Sequence, residues 1–119
     1  MSDLKVEKEV VPEAPDVVRL KLSGSLDTET SREFSAKVDQ IISAGWSKLV
    51  LDLGEVDFVS SGGWGSIISA LRKAHAKGGD LVLLNLKGQV KRVFRMLGFK
   101  AILKSYGDID EAIAHFQRE

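Results

Sequence analysis

Leu4 and Val6 alternate with Lys5 and Glu7, Val10 extends the set, and Val18, Leu20 and Leu22 alternate with Arg19 and Lys21. A period of two predicts two half-buried strands. Pro12-Glu13-Ala14-Pro15-Asp16 between them predicts a turn, because each proline fixes φ and removes a donor. The pair therefore reads as an antiparallel hairpin. Ser23-Gly24-Ser25-Leu26-Asp27 breaks the alternation and offers Asp27 or Thr28 as the cap of a helix over about 28–44. In that helix Phe34, Val38, Ile41 and Ile42 share one face, and Gly45 ends it.

The period then switches repeatedly between strand and helix. Leu49-Val50-Leu51-Asp52-Leu53 is too short an apolar run for a helix and suits a strand buried on both faces. Trp64, Ile67, Ile68 and Leu71 mark a helix over about 62–77 that stops at Gly78-Gly79. A buried strand follows at 81–86, then a helix carrying Val90, Val93, Phe94 and Leu97 that stops at Gly98. Ala101-Ile102-Leu103 reads as a short strand, and 108–117 as a last helix with Ile109, Ala112, Ile113 and Phe116 inward. This order predicts an α/β fold: a mixed sheet with a parallel centre, an N-terminal hairpin near one edge and about four helices. At 119 residues the chain suits one domain, 1–119.

Composition narrows the function. Lys plus Arg and Asp plus Glu are both 17, so the formal net charge is zero, and nucleic acid is not expected as a partner. There is no cysteine, which removes thiol catalysis and Cys-ligated zinc. The first eight residues are charged, unlike a signal peptide, and no apolar run approaches the ~20 residues of a membrane helix. A soluble cytoplasmic protein is expected, with no membrane partner. His75 and His115 are the two histidines, and ~20 Å of helix separates His75 from Ser61. A Ser-His-Asp hydrolase is therefore disfavoured, His115 lying on the last helix, and no Gly-x-Ser-x-Gly elbow occurs. Neither a metal set nor a nucleotide-binding loop is present in the sequence, so no cofactor is expected. Lys91, Arg92 and Arg95 form a basic helical face, read as solvated or as part of a surface for an acidic partner.

The least ordinary stretch is Asp57-Phe58-Val59-Ser60-Ser61-Gly62-Gly63-Trp64-Gly65-Ser66, between a buried strand and an amphipathic helix. Three glycines at a helix start cost about 1 kcal/mol each against alanine in a helix interior, so the backbone there needs close approach or unusual dihedrals. Ser60 and Ser61 lie where orphan amides and the macrodipole favour an anion. In the plainer reading Ser61 is an N-cap worth ~1 kcal/mol and Asp27 caps the first helix.

Residues 57–65 resemble the switch-site motif of the STAS-domain anti-sigma factor antagonists, commonly Asp-Ser-Ser/Thr-Gly-Leu-Gly or Ser-Ser-Ala-Gly-Leu. Gly24-Ser25-Leu26-Asp27 is similar to that family's Gly-x-Leu-Asp after the second strand, 77–81 to its Gly-Gly turn, and 90–98 to its closing segment. The resemblance implies phosphorylation at Ser61 and a partner-binding face of Gly24, Ser25, Asp27, Ser60, Ser61, Gly62, Gly63 and Trp64 with the helix that follows. It further implies a non-enzymatic partner switch. An anti-sigma factor that is itself a serine kinase binds the unmodified chain and phosphorylates it, and a metal-dependent phosphatase of the PP2C type resets it. Three positions depart from the motif: Ser60 stands where many members have Asp, Gly62 where they have Ser, Thr or Ala, and Trp64 where they have Leu. A STAS-type scaffold that is never phosphorylated, and a small hydrolase, are the alternative readings.

Overall fold

The computed structural model describes residues 4–117. The two alternating segments form β1 (Leu4–Val10) and β2 (Val17–Leu26), paired antiparallel from Val10 opposite Val18 to Leu4 opposite Gly24. The prolines lie in the turn between them, where the Ala14 amide donates to the Val11 carbonyl at 3.0 Å and the Val17 amide to the Ala14 carbonyl at 2.9 Å. There follow α1 (Ser31–Ser43), β3 (Lys48–Val59), α2 (Ser61–Ala76), β4 (Asp80–Leu84), α3 (Gly88–Met96), a 3-10 turn (Phe99–Ala101), β5 (Lys104–Tyr106) and α4 (Ile109–Gln117). The strands form one sheet in chain order, parallel from β2 through β5, with the hairpin at one edge. This is the mixed α/β sheet that the hydrophobic pattern predicts.

Side-chain alternation along the strands builds two cores. Leu20, Leu22, Leu51, Leu53, Leu81 and Leu83 pack with Phe34 of α1, Trp64 and Ile67 of α2 and Phe94 of α3. Val17, Val50, Val82 and Leu84 face the opposite way, against Ala112, Ile113 and Phe116 of α4. Burial on both faces is why β3 and β4 read as unbroken apolar runs. Asp52 interrupts one of them at only 2% exposure. Its carboxylate is fully satisfied: Arg19 donates from Nε at 3.1 Å and from Nη2, the Gly54 amide at 2.9 Å and Asn85 Nδ2 at 3.3 Å. Without those donors a buried carboxylate would cost several kcal/mol.

Three local expectations are corrected. Residues 23–27 do not end the strand; β2 continues through Gly24, at φ 105°, to Leu26, with two register shifts against β3. β3 likewise runs past Leu53 to Val59, seven residues beyond its last pairing with β4, Asp52 opposite Leu84. Ala101-Ile102-Leu103 is not a strand. The 3-10 turn takes up Ala101, the amides of Ile102 and Leu103 donate to the Phe99 carbonyl at 2.9 and 2.8 Å, and the strand is the polar segment after it. Leu103 is apolar because it plugs the core, whereas edge strand β5 pairs through its backbone and leaves Lys104 and Ser105 exposed.

Candidate functional site

The overshoot of β2 and β3 brings two loops together. Leu26, the last residue of β2, pairs with Val59, the last of β3, and the Ser60 amide donates to the Leu26 carbonyl at 2.9 Å. The start of α2 therefore lies directly against the turn that leads into α1. A Cβ on Gly63 would stand 2.3 Å from the Leu26 carbonyl oxygen, and one on Gly62 2.8 Å from Thr28 Oγ1. Close approach, not a special φ, is what these two glycines provide. Gly65 meets nothing within 4 Å and carries no such constraint.

The two serines have different roles. Ser60 is the N-cap of α2: it is extended, at φ −80° and ψ 174°, and its Oγ accepts from the Gly63 amide at 3.0 Å. Ser61 is the first helical residue, its side chain exposed and its hydroxyl without a hydrogen-bond partner among the described residues. The plainer reading of Ser61 as the cap is thus overturned; its neighbour holds that place.

Across the junction, Asp27 and Thr30 cap the chain reciprocally. Asp27 Oδ1 accepts from the Thr30 amide at 2.8 Å and from Thr30 Oγ1 at 3.1 Å, and Thr30 Oγ1 accepts from the Asp27 amide at 2.9 Å. Thr30 also donates to the Ser25 carbonyl at 2.9 Å, and is itself buried. The backbone hydrogen bond from Thr30 holds the Asp27 carboxyl below its ordinary range. Thr30 is the residue missed by the sequence reading; its signal is the Asp-x-x-Thr spacing, a variant of the capping box. Gly24, Ser25 and Asp27 are all half-buried at this junction.

Trp64 does not join the face. It is 2% exposed, with its ring 5.9 Å from that of Phe94 and 5.2 Å from that of Phe99. Gly63 is buried as well, so the accessible surface at the helix start is that of Ser61, Gly62 and Gly65 beside Asp27 and Thr28. Both histidines sit at the other end of the strands, around Asp80, which pairs with the first residue of β3. His75 Nε2 lies 3.0 Å from one Asp80 oxygen and His115 Nε2 2.7 Å from the other, with His115 Nδ1 2.8 Å from the Tyr106 hydroxyl. Burial alone would raise the Asp80 pKa, but the bonds from His115, the Leu81 amide and His75 outweigh it and lower it. Among the described residues no group of three or more His, Asp or Glu is placed to hold a metal ion.

Residues 8–112 match the family model for the STAS domain. This chain is a STAS-domain protein. Among its relatives, the anti-sigma F factor antagonist of Paenibacillus polymyxa is 28% identical over 102 residues, covering 85% of this chain and 87% of the relative. A Thermotoga maritima crystal structure, provisionally named as an anti-sigma factor antagonist, superposes with a TM-score of 0.82 at 28% identity, over 95% of each chain. The anti-sigma factor antagonist SpoIIAA shares the fold in its unphosphorylated form, with TM-score 0.71, 23% identity and coverage of 97% of this chain and 100% of that one. Its phosphorylated form superposes at 0.68 and 24% identity, over 93% and 98%. The STAS protein described here stands with the anti-sigma factor antagonists of that family.

Proposed function

We propose that this protein is an anti-sigma factor antagonist that works by phosphorylation-controlled partner switching, with Ser61 as the acceptor. In this reading the unmodified chain binds an anti-sigma factor that is also a serine kinase, through Ser61, Gly62 and the 24–28 loop. The kinase phosphorylates Ser61 and lets go, and a PP2C-type phosphatase restores the hydroxyl. The protein itself performs no catalysis, and the cycle runs in the bacterial cytoplasm. No helix among the described residues is long and apolar enough to cross a membrane.

The observation that carries the reading is the division of labour between the serines. Ser60 is tied up as the cap, whereas Ser61 presents a free, exposed hydroxyl at the first position of a sixteen-residue helix. A phosphate there gains from the helix N-terminus, whose first amides lack intrahelical partners. It adds about −1.5 to −2 charge, and burying that charge in an interface without a cation costs several kcal/mol. The modification is thus tolerated by the fold and opposed by the interface.

Incubation with the cognate kinase and ATP, followed by peptide mass spectrometry, tests the assignment. One phosphate is expected, on Ser61, lost in Ser61→Ala and retained in Ser60→Ala. A phosphate on Ser60, or none on either serine, would leave the unphosphorylated scaffold as the better account.

A further inference from the structure

A second surface, which Ser61 does not line, lies where the strands end unevenly. β3 overshoots β4 by seven residues and β5 is only three residues long. The space outside the ends of β4 and β5, beside α3, is an open groove of about 1160 Å³.

Its walls carry unlike charge. On the β2–β3 side Arg19 and Lys21 are neutralised by Asp52 and Glu55, the Lys21–Glu55 pair at 3.1 Å. On the other side stand Lys87, Lys91, Arg95, Lys100 and Lys104, all exposed and none ion-paired among the described residues. Lys91 and Arg95 lie about one turn apart on α3, and Lys87 is the N-cap at its start. In a chain of zero net charge this is a local concentration, with a positive potential directed into the groove.

The same segment exposes apolar surface. Half-buried Leu86 lines the groove above the buried Phe94 and Leu103, and elsewhere on the same segment Met96, Leu97 and Ile102 are 81%, 53% and 52% exposed. Exposed apolar side chains gathered beside charge mark interaction surfaces.

We propose that this groove docks an acidic, amphipathic segment of a partner protein, its carboxylates on the α3 cations and its apolar side chains on the 86–103 surface. A small anion fits less well, because the groove's cations are exposed on flexible stems rather than buried and convergent. A membrane presents a flat surface, whereas this site is concave.

The test is an NMR titration of the ¹⁵N-labelled chain with a synthetic peptide of Glu, Leu and Phe about twelve residues long. Amide shifts are expected at 86–107 and not at 60–66. Binding should weaken about tenfold in the Lys91→Glu, Arg95→Glu double variant, and when salt rises from about 50 to about 500 mM. Lys100→Glu, Lys104→Glu serves as an independent pair should the first not fold. Equal binding of the same peptide with Lys in place of Glu would overturn the proposal. So would equal or larger shifts with sodium pyrophosphate, or binding confined to phosphatidylglycerol vesicles. Concentration-dependent shifts of these amides without peptide would assign the groove to a second copy of the chain, and no shift at all would remove the site. None of these outcomes bears on Ser61, which does not line the groove.

Discussion

Ser60 and Ser61 are chemically identical and adjacent, yet the fold gives them opposite work. Ser60 Oγ satisfies the Gly63 amide, one of the orphan donors of α2, while Ser61 points to solvent. Ser60→Ala is therefore expected to cost about 1 kcal/mol, lowering Tm by roughly 4 °C in a chain of this length. Ser61→Ala should stay within about 0.5 kcal/mol of wild type. Thermal unfolding by circular dichroism decides it; equal losses in the two variants would mean that the hydroxyls share the capping role. A serine pair before glycines shows a helix start in the sequence, but either serine satisfies the capping preference. Which one caps depends on where β3 ends, and that register is set by its pairing with Leu26.

At the scale of elements, the site exists because β2 and β3 run long together and deliver the start of α2 onto the 26–28 backbone. The three glycines of that start looked alike in the sequence and are not alike in the fold. Gly63→Ala would drive a methyl into the Leu26 carbonyl, 2.3 Å away, with a cost of about 1–3 kcal/mol as the junction is forced apart. Gly65→Ala, facing open space, should stabilise by up to about 1 kcal/mol through helix propensity. Chemical denaturation of both variants checks the pair, and a neutral Gly63→Ala would show that the helix start is not clamped against the loop. Most elements were legible because their apolar residues bury on one or two faces with a clear period. Two were not. The 101–103 triplet is apolar because Leu103 fills the core, a tertiary demand that imitates a strand, and β5 is a strand whose side chains bury too little to leave a pattern. Trp64 misled in the opposite sense: it occupies a motif position next to the switch but packs with Phe94 and Phe99, contacts thirty and thirty-five residues away in the chain.

In the whole molecule, two surfaces stand apart from the cores: the Ser61 junction and the cationic groove along α3. The histidines serve neither. They bracket Asp80 at the opposite end of the strands from Ser61 and tie α2 and α4 to the start of β4. The fold thus offers an exposed hydroxyl that can be modified without disturbing any core contact, at a capped helix start beside the 24–28 loop. The most direct measurement is calorimetric titration of the cognate anti-sigma factor kinase with the unmodified and the Ser61-phosphorylated protein. At 1.4 kcal/mol per tenfold, a desolvation cost of a few kcal/mol predicts at least about a hundredfold weaker binding of the phosphorylated form, with an unchanged circular dichroism spectrum. Equal affinity of the two forms would contradict Ser61 as the switch.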